Sequence, residues 1–352
     1  MYLQSIATAN PPQSLTQTEC WATVLGADAT RATLNRRSQL TLRTILHGDS
    51  GIAARQFAVS DLSRIFDMNT DELNAEFRRA APILAAAALR PALTQAGITA
   101  DDLDALVVCT CTGYLCPGVT SYLSEQLGLR DDAYLQDLVG LGCGAAIPAL
   151  RAVDGILARD PEATVACVAV EVCSAAFYLD DDLGVLISAC LFGDGAAATI
   201  WKRTPQSGQL RCFDFDTFHD PANRDEIRFE HRHGKLRNLL KPTVPALAAQ
   251  AVAHLHQRSI QPPDANAISR IIPHTGGKDV IDAIATKFPR YDFAPTRETL
   301  RRHGNMSSPS VLFALEQALH SDRPTATQDW WLTAFGAGFS AHSCRLGLAP
   351  QT

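Results

Sequence analysis

A cysteine set between two glycines is the first feature with chemical content. "GLGCGAAIPALRA" (residues 140–152) carries Cys143 where a polar strand end passes into a small-residue helix. A helix N-terminus presents unpaired N–H groups and a positive partial charge, which stabilise a thiolate. Gly142 and Gly144 let the backbone turn sharply and let a substrate come close to the sulfur. Two further segments have the same junction character. "IIPHTGGKDV" puts His274 after a buried apolar run and before a glycine pair, Gly276 and Gly277, that opens a helix. "RRHGNMSSPS" puts Asn305 in a glycine turn before another helix. A histidine beside a cysteine can hold the pair as thiolate and imidazolium, and an Asn amide beside them can donate to an oxyanion developing on a thioester carbonyl. Together the three form a constellation rather than a motif. Singly, each is also what packing would place there, since a buried cysteine usually acts as a small hydrophobe.

The elements that must position these residues alternate in α/β fashion. "DALVVCTCTG" (104–113) is a continuous apolar, β-branched run, as a strand covered on both faces requires, and "VTSYLSEQLGLR" after it has helical spacing. "ATVACVAVEVCSAA" (163–176) and "GDGAAATIWKR" (193–203) are further strands, and "AYLQDLVGLG" delivers Cys143 to its helix. The pattern then begins again. Helix "VPALAAQAVAHLHQRS", strand "SRIIPHTGG", helix "KDVIDAIATKF", helix "SSPSVLFALEQALHS" and strand "WWLTAFGAGFSAHSCRLGL" form a second set. Two α/β halves of similar build, residues 1–203 and 204–352, are expected, with the junction around 204–243 and the nucleophile in the first half.

Composition bounds the rest. The chain has 352 residues, 46% hydrophobic and 19% charged, enough to bury a large two-lobed core and too apolar for extensive disorder. A net charge of -6 argues against a general affinity for nucleic acid and leaves only local basic pockets to be sought. The N-terminus lacks the basic start and apolar core of a secretion signal, and no apolar run reaches the roughly 18 residues needed to span a bilayer, so a cytoplasmic protein without membrane insertion is expected. Ten cysteines spread over so long a chain read as reduced thiols rather than a disulfide framework.

Read in order, "IATANPP", "CTGYLCPG", "GCGAAIP", "LFGDGAAATI", "HTGGKDVIDAI", "GNMSSPSVLFAL" and "FGAGFSAHSCRL" resemble the chalcone and stilbene synthase-like, or type III, polyketide synthases, nearly end to end. The resemblance implies a duplicated thiolase fold layered α-β-α-β-α. It implies an acyltransferase that loads an acyl-CoA starter on Cys143, extends it by decarboxylative condensation with malonyl-CoA and cyclises the product. His274 and Asn305 would hold the enolate or tetrahedral oxyanion, and Phe192 would stand between a coenzyme A tunnel and the reaction chamber. No metal or organic cofactor is implied, only coenzyme A thioesters as substrates, and a homodimer is expected.

Departures from the plant pattern point to the chamber. Where plant members often carry threonines this chain has Cys173 and Ala176, and the usual second phenylalanine falls near Asn238. These smaller residues predict room for long acyl starters. Cys111 and Cys116 of "CTGYLCPG", which resembles the bacterial resorcinol- and pyrone-forming members, are expected to line the cavity, as are Gly277 and the 334–338 loop with Phe335 and Gly336. Plant basic residues that meet coenzyme A phosphates are not reproduced, and Arg36, Arg37, Arg43 and Arg55 are the candidates to replace them.

Other features carry less. Cys109, Cys111 and Cys116 have no second pair at zinc-finger spacing, with the first two expected inside a strand. His254 and His256 point to different sides of a helix, His231 and His233 lie on a polar edge with a turn, and "GDG" lacks the company of a phosphate-binding loop. Two rival readings remain. One is a ketoacyl synthase III-like enzyme making a single condensation with a carrier protein, against which "HTGG" and "GNMSS" speak; the other is a catalytically silent thiolase-fold partner, whose signature would be a missing nucleophile.

Overall fold

In a computed structural model the described residues are 1–205, 208–259 and 266–349. The first part supplies β1 (Tyr2–Ala9), the short pair β2 (Gln13–Thr16) and β3 (Ala54–Phe57), β4 (Ala105–Cys109), β5 (Tyr134–Leu138), β6 (Val165–Glu171) and β7 (Gly195–Lys202). The second supplies β8 (Leu210–His219), the hairpin β9 (Ile227–Arg232) and β10 (Lys235–Leu240), β11 (Ala267–Pro273), β12 (Gln328–Gly336) and β13 (Ser340–Leu348). Among the described residues nine of these join in one sheet, ordered β11-β12-β13-β8-β1-β7-β6-β4-β5.

That order contains a repeat. From β1 outward the pairings to β7, β6 and β4 are antiparallel, antiparallel and parallel. From β8 outward those to β13, β12 and β11 follow the same sequence. The two runs meet between β1 and β8, at Tyr2 with Arg211 and Leu3 with Leu210, and Met1 and Cys212 exchange backbone hydrogen bonds beside them.

Helices fill the layers on either side because the strands are apolar on both faces: every residue of β4 and β6 is buried. Helix Ala146–Arg159 buries Ile147, Leu150, Val153 and Leu157, one stripe at helical spacing, before Asp160 and Pro161 end it. With helix Ser310–Leu319 it lies in the core shared by β4, β6 and β7 on one side and β12 and β13 on the other. Full burial of each such aliphatic side chain contributes roughly 1.5–3 kcal/mol. Helix Thr70–Ala96 covers the outer face of β4, β6 and β7, and helices Val244–Ser259 and Lys278–Lys287 cover the second run. The layering is therefore α-β-α-β-α.

Two local expectations change. The run from Trp330 to Leu348 is not one strand but the antiparallel pair β12 and β13, turning at 337–339 with Gly338 at φ +130°. β6 stops at Glu171, and Cys173–Ala176 form a 3-10 turn instead of continuing the strand.

Candidate active site

Cys143 lies half-buried in a 3-10 turn, Gly142–Gly144, that feeds helix Ala146–Arg159. The turn needs its glycine, because Gly142 adopts φ +57°. The β12–β13 connection presses on it from below. A Cβ at Gly336 would lie 2.6 Å from both Gly144 N and Leu141 O, so only glycine permits that approach. Burial pushes the Cys143 thiol up to about 12, while hydrogen bonding from Ser307 and Asn305 pulls the other way.

His274 follows β11 directly. Its N–H donates to Thr333 O (2.8 Å), its ring meets Phe335 edge-on at 5.3 Å, and it is 1% exposed. Neither ring nitrogen has a protein partner. Burial lowers this imidazole to about 3, so at neutral pH it is uncharged. The thiolate–imidazolium pair expected from the sequence is therefore not favoured by either group alone.

Asn305 is fastened by the segment that carries Phe192. Its N–H donates to Leu191 O (3.0 Å), and its carbonyl accepts from Gly193 N (3.0 Å). The Ser307 N–H donates to Asn305 Oδ1 (2.7 Å), which orients the amide. Ser307, at φ +60°, also sets its Oγ 3.2 Å from the Cys111 sulfur. Beneath them the fully buried Glu171 accepts from Thr110 Oγ1, Cys111 N, Thr112 N, Thr112 Oγ1 and Ser308 Oγ, while burial raises its pKa. This carboxylate ties the end of β4 to the Asn305 loop across the two strand runs.

One tunnel-like cavity of about 650 Å³ brings Cys143, His274, Asn305, Phe192, Gly277 and Phe335 together. On its inner side Cys143 and Phe192 also line a second cavity with Cys173, Ala176 and Asn238. Phe192 thus lines both, as do Ile227 and Leu240. The inner cavity is not roomy. Phe177, Tyr178 and Phe229 take the space that Cys173 and Ala176 leave, and its free volume is about 30 Å³. The small side chains of Cys173 and Ala176 therefore do not by themselves open this cavity.

Other expected site residues fall elsewhere. Cys111 lies past the end of β4 rather than within it, in an outer cleft. Cys116 is exposed after the loop and lines none of the cavities described, so it does not belong to the cavity wall of this chain. Arg55 is no coenzyme A ligand: it is 2% exposed, donating from Nη1 to Ala189 O and Phe192 O (both 2.8 Å) and from Nε to Gln17 Oε1 (3.0 Å). It braces the Phe192 segment instead. Arg36, Arg37 and Arg43 are exposed on helix Arg36–His47, whose Thr41, Thr44 and Ile45 line the tunnel while the arginines do not. The lysines at the tunnel wall are ones the sequence reading missed, Lys241 paired with Glu226 (2.9 Å) and Lys278 paired with Asp49. Gly336 supports the nucleophile turn rather than the cavity wall. Among the described residues no cluster of three or more His, Cys, Asp or Glu is arranged to hold a metal, and no helix is long and apolar enough to cross a membrane.

Fold and site together define a duplicated thiolase-like protein with a cysteine, a histidine and an asparagine in one cavity. A family model described as FAE1/type III polyketide synthase-like protein matches residues 13–212, and one described as 3-oxoacyl-[acyl-carrier-protein] synthase III C terminal matches 260–348. The chain is 30% identical over 272 residues to 3,5-dihydroxyphenylacetyl-CoA synthase of Streptomyces toyocaensis, covering 74% of this chain and 70% of that one. It is 27% identical to 1,3,6,8-tetrahydroxynaphthalene synthase of Streptomyces coelicolor, covering 86% and 82%. The crystal structure of PKS-I from the brown alga Ectocarpus siliculosus superposes with a TM-score of 0.86 at 23% identity, over 99% of this chain and 98% of that one. The chain belongs to the type III polyketide synthase family, whose members are acyltransferases acting by decarboxylative condensation.

Proposed function

We propose that this chain loads an acyl-CoA starter on Cys143, extends it with malonyl-CoA and closes the product to a resorcinol, pyrone or related aromatic ring. The observation that carries this reading is His274: two buried ring nitrogens without protein partners, in one cavity with the Asn305 amide and the Cys143 thiol. Buried polar groups of that kind call for a partner, and a thioester oxygen supplies one.

The steps balance. Cys143 thiolate attacks the starter thioester, the C–S bond to coenzyme A breaks, and coenzyme A leaves as its thiolate. Malonyl-CoA then loses carbon dioxide, and the electron pair of the broken C–C bond becomes an enolate whose oxygen accepts from the His274 N–H and the Asn305 amide. One such donor is worth about 3 kcal/mol in a comparable oxyanion site. The enolate carbon attacks the acyl carbon, and collapse of the tetrahedral oxyanion returns the Cys143 thiolate. Nothing in these steps requires a metal or organic cofactor, since the thioester carries its own electrophile and leaving group.

The reading includes a homodimer in the cytoplasm. β5 ends the sheet with its outer edge unpaired among the described residues, and Tyr134, Leu135 and Val139 are exposed along it. Light scattering would then give twice the chain mass. The chemistry itself is tested with purified protein, acyl-CoA and malonyl-CoA without any carrier protein. Malonyl-CoA consumption and a starter adduct on the intact wild-type protein are expected, with no adduct on Cys143→Ala. An adduct that persists in the variant assigns the nucleophile elsewhere.

A further inference from the structure

The two glycines that flank Cys143 are supported from behind. A Cβ at Gly142 would lie 3.2 Å from Ala337 N, and one at Gly144 would lie 3.2 Å from the His342 ring. Ala337 belongs to the turn between β12 and β13, and His342 stands on β13 itself, opposite Thr217 of β8. Each carbonyl of that turn is taken. Ser340 Oγ donates to Ala337 O (2.8 Å), His219 Nε2 lies 3.1 Å from Gly338 O, and Asp220 N donates to Phe339 O (2.8 Å).

His342 is the inner end of this clamp. Its ring is buried, with Nδ1 3.1 Å from Thr217 Oγ1 and Nε2 3.2 Å from Ser340 Oγ. The proton positions follow. A serine hydroxyl has one proton, and that of Ser340 goes to Ala337 O, so towards His342 it accepts from Nε2–H. Nδ1 then accepts from the Thr217 hydroxyl. Burial, with His219 and Arg151 close by, lowers the ring to about 4, which keeps it in this single-proton form at neutral pH. Thr217, His342 and Ser340 thus make a directed chain of hydrogen bonds that ends on the turn behind the nucleophile.

We infer that His342 is a positioning residue for Cys143: through Ser340 and by direct contact it fixes the Gly142–Gly144 turn, and so aims the sulfur at the thioester carbon of the starter. The inference rests on the acyl-transfer reading above. His274 and Asn305 are carried by other segments, the end of β11 and the loop tied to Leu191 and Gly193. The two half-reactions therefore separate. Loading needs the sulfur in line with the carbonyl carbon, where a misplacement of about 1 Å costs about a hundredfold. Malonyl-CoA decarboxylation needs only the His274 and Asn305 donors; without an acyl group to attack, the enolate takes a proton from water and leaves as acetyl-CoA.

The test measures both on wild type, His342→Ala, His342→Gln and Ser340→Ala. Loading is read as the rate at which acetyl-, hexanoyl- or benzoyl-CoA adds its acyl group to Cys143 by intact-protein mass, decarboxylation as acetyl-CoA formed from malonyl-CoA alone, and folding as melting temperature. In His342→Ala loading should fall roughly 10- to 100-fold, while acetyl-CoA formation keeps its wild-type rate. Ser340→Ala should fall in the same direction, and it decides if His342→Ala does not fold. His342→Gln should recover part of the loss, because its amide N–H still reaches towards Ser340. Unchanged loading in a variant that melts like wild type overturns the inference. So does a loss shared equally by the two half-reactions, which is what general loosening of the fold would give. A wild type that loads none of these starters and leaves malonyl-CoA intact is a different result, which overturns the acyl-transfer reading and this inference with it.

Discussion

Cys143 and His274 are each held neutral by the same cause, burial, which raises the thiol to about 12 and lowers the imidazole to about 3. Moving one proton from sulfur to imidazole leaves the net charge of the cavity unchanged, and the hydrogen bonds from Ser307 and Asn305 favour the thiolate once it forms. The two groups then titrate as a pair rather than separately. Iodoacetamide inactivation against pH reads this directly. His274→Ala should move the midpoint up, because the sulfur loses its proton acceptor, and Ser307→Ala should move it up by less. An unchanged midpoint in His274→Ala would sink the pairing. Cys143, His274 and Asn305 were legible in the sequence because each stands at a strand or turn boundary beside glycine, where a side chain meets a cavity. Ser307 and Glu171 were not, since a serine after a turn and a carboxylate ending a strand look the same whether buried or solvated. Arg55 was misread although its signal was present: it shares one face of β3 with Phe57, and both are buried.

The β9–β10 hairpin is the element the sequence disguised. "RFEHRHGKLR" reads as a polar edge, and its turn at His233 and Gly234 does face solvent. Yet Ile227 and Phe229 line the chamber, with Arg228 between them reaching it as well. Small residues at Cys173 and Ala176 therefore said little about volume, because the opposing wall came from another strand pair. Arg237 holds that wall, sharing Asp180, Asp182 and Glu230 as partners with its own side chain 10% exposed. Arg237→Ala leaves three carboxylates without this cation. Losing one partner of a fully buried pair costs roughly 3–5 kcal/mol, and these carboxylates are 17–43% exposed, so about 1–3 kcal/mol is expected. Urea unfolding measures it. Arg237→Lys keeps the charge but loses the planar fork that reaches Asp180 and Glu230 together, so it should recover only part of the loss. A variant as stable as wild type would mean that the hairpin is held by packing alone.

At the scale of the molecule, the repeated α/β pattern was legible because continuous apolar strands and amphipathic helices follow from burial alone. The pairing of β1 with β8 was not, since it joins residues about 200 positions apart and no local pattern announces it. The same deep burial shapes the response to acid. His274 is lowered to about 3, and His303 and His342 to about 4, all by desolvation, with His256 lowered as well. An unfolded chain binds these protons near 6.5, whereas the folded chain binds them only well below that. Between those values the unfolded state carries more protons, so stability falls as pH falls, with a slope of at most about 1.4 kcal/mol per pH unit for each group. Asp194 works in the opposite direction. Burial raises it from 3.8 to about 6, so the folded chain holds that proton first, and Glu171 is shifted the same way. Four histidines outweigh two carboxyls, and the melting temperature should hold near neutral pH and drop between about pH 6.5 and 4. His303, whose Nδ1 lies 2.9 Å from Gln56 Oε1, supplies the control. His303→Gln keeps a donor for Gln56 and cannot take up the proton, so its melting curve should be less steep across that window. A melting temperature that rises on acidification, or a His303→Gln slope equal to wild type, would mean that the buried histidines do not govern the acid limb.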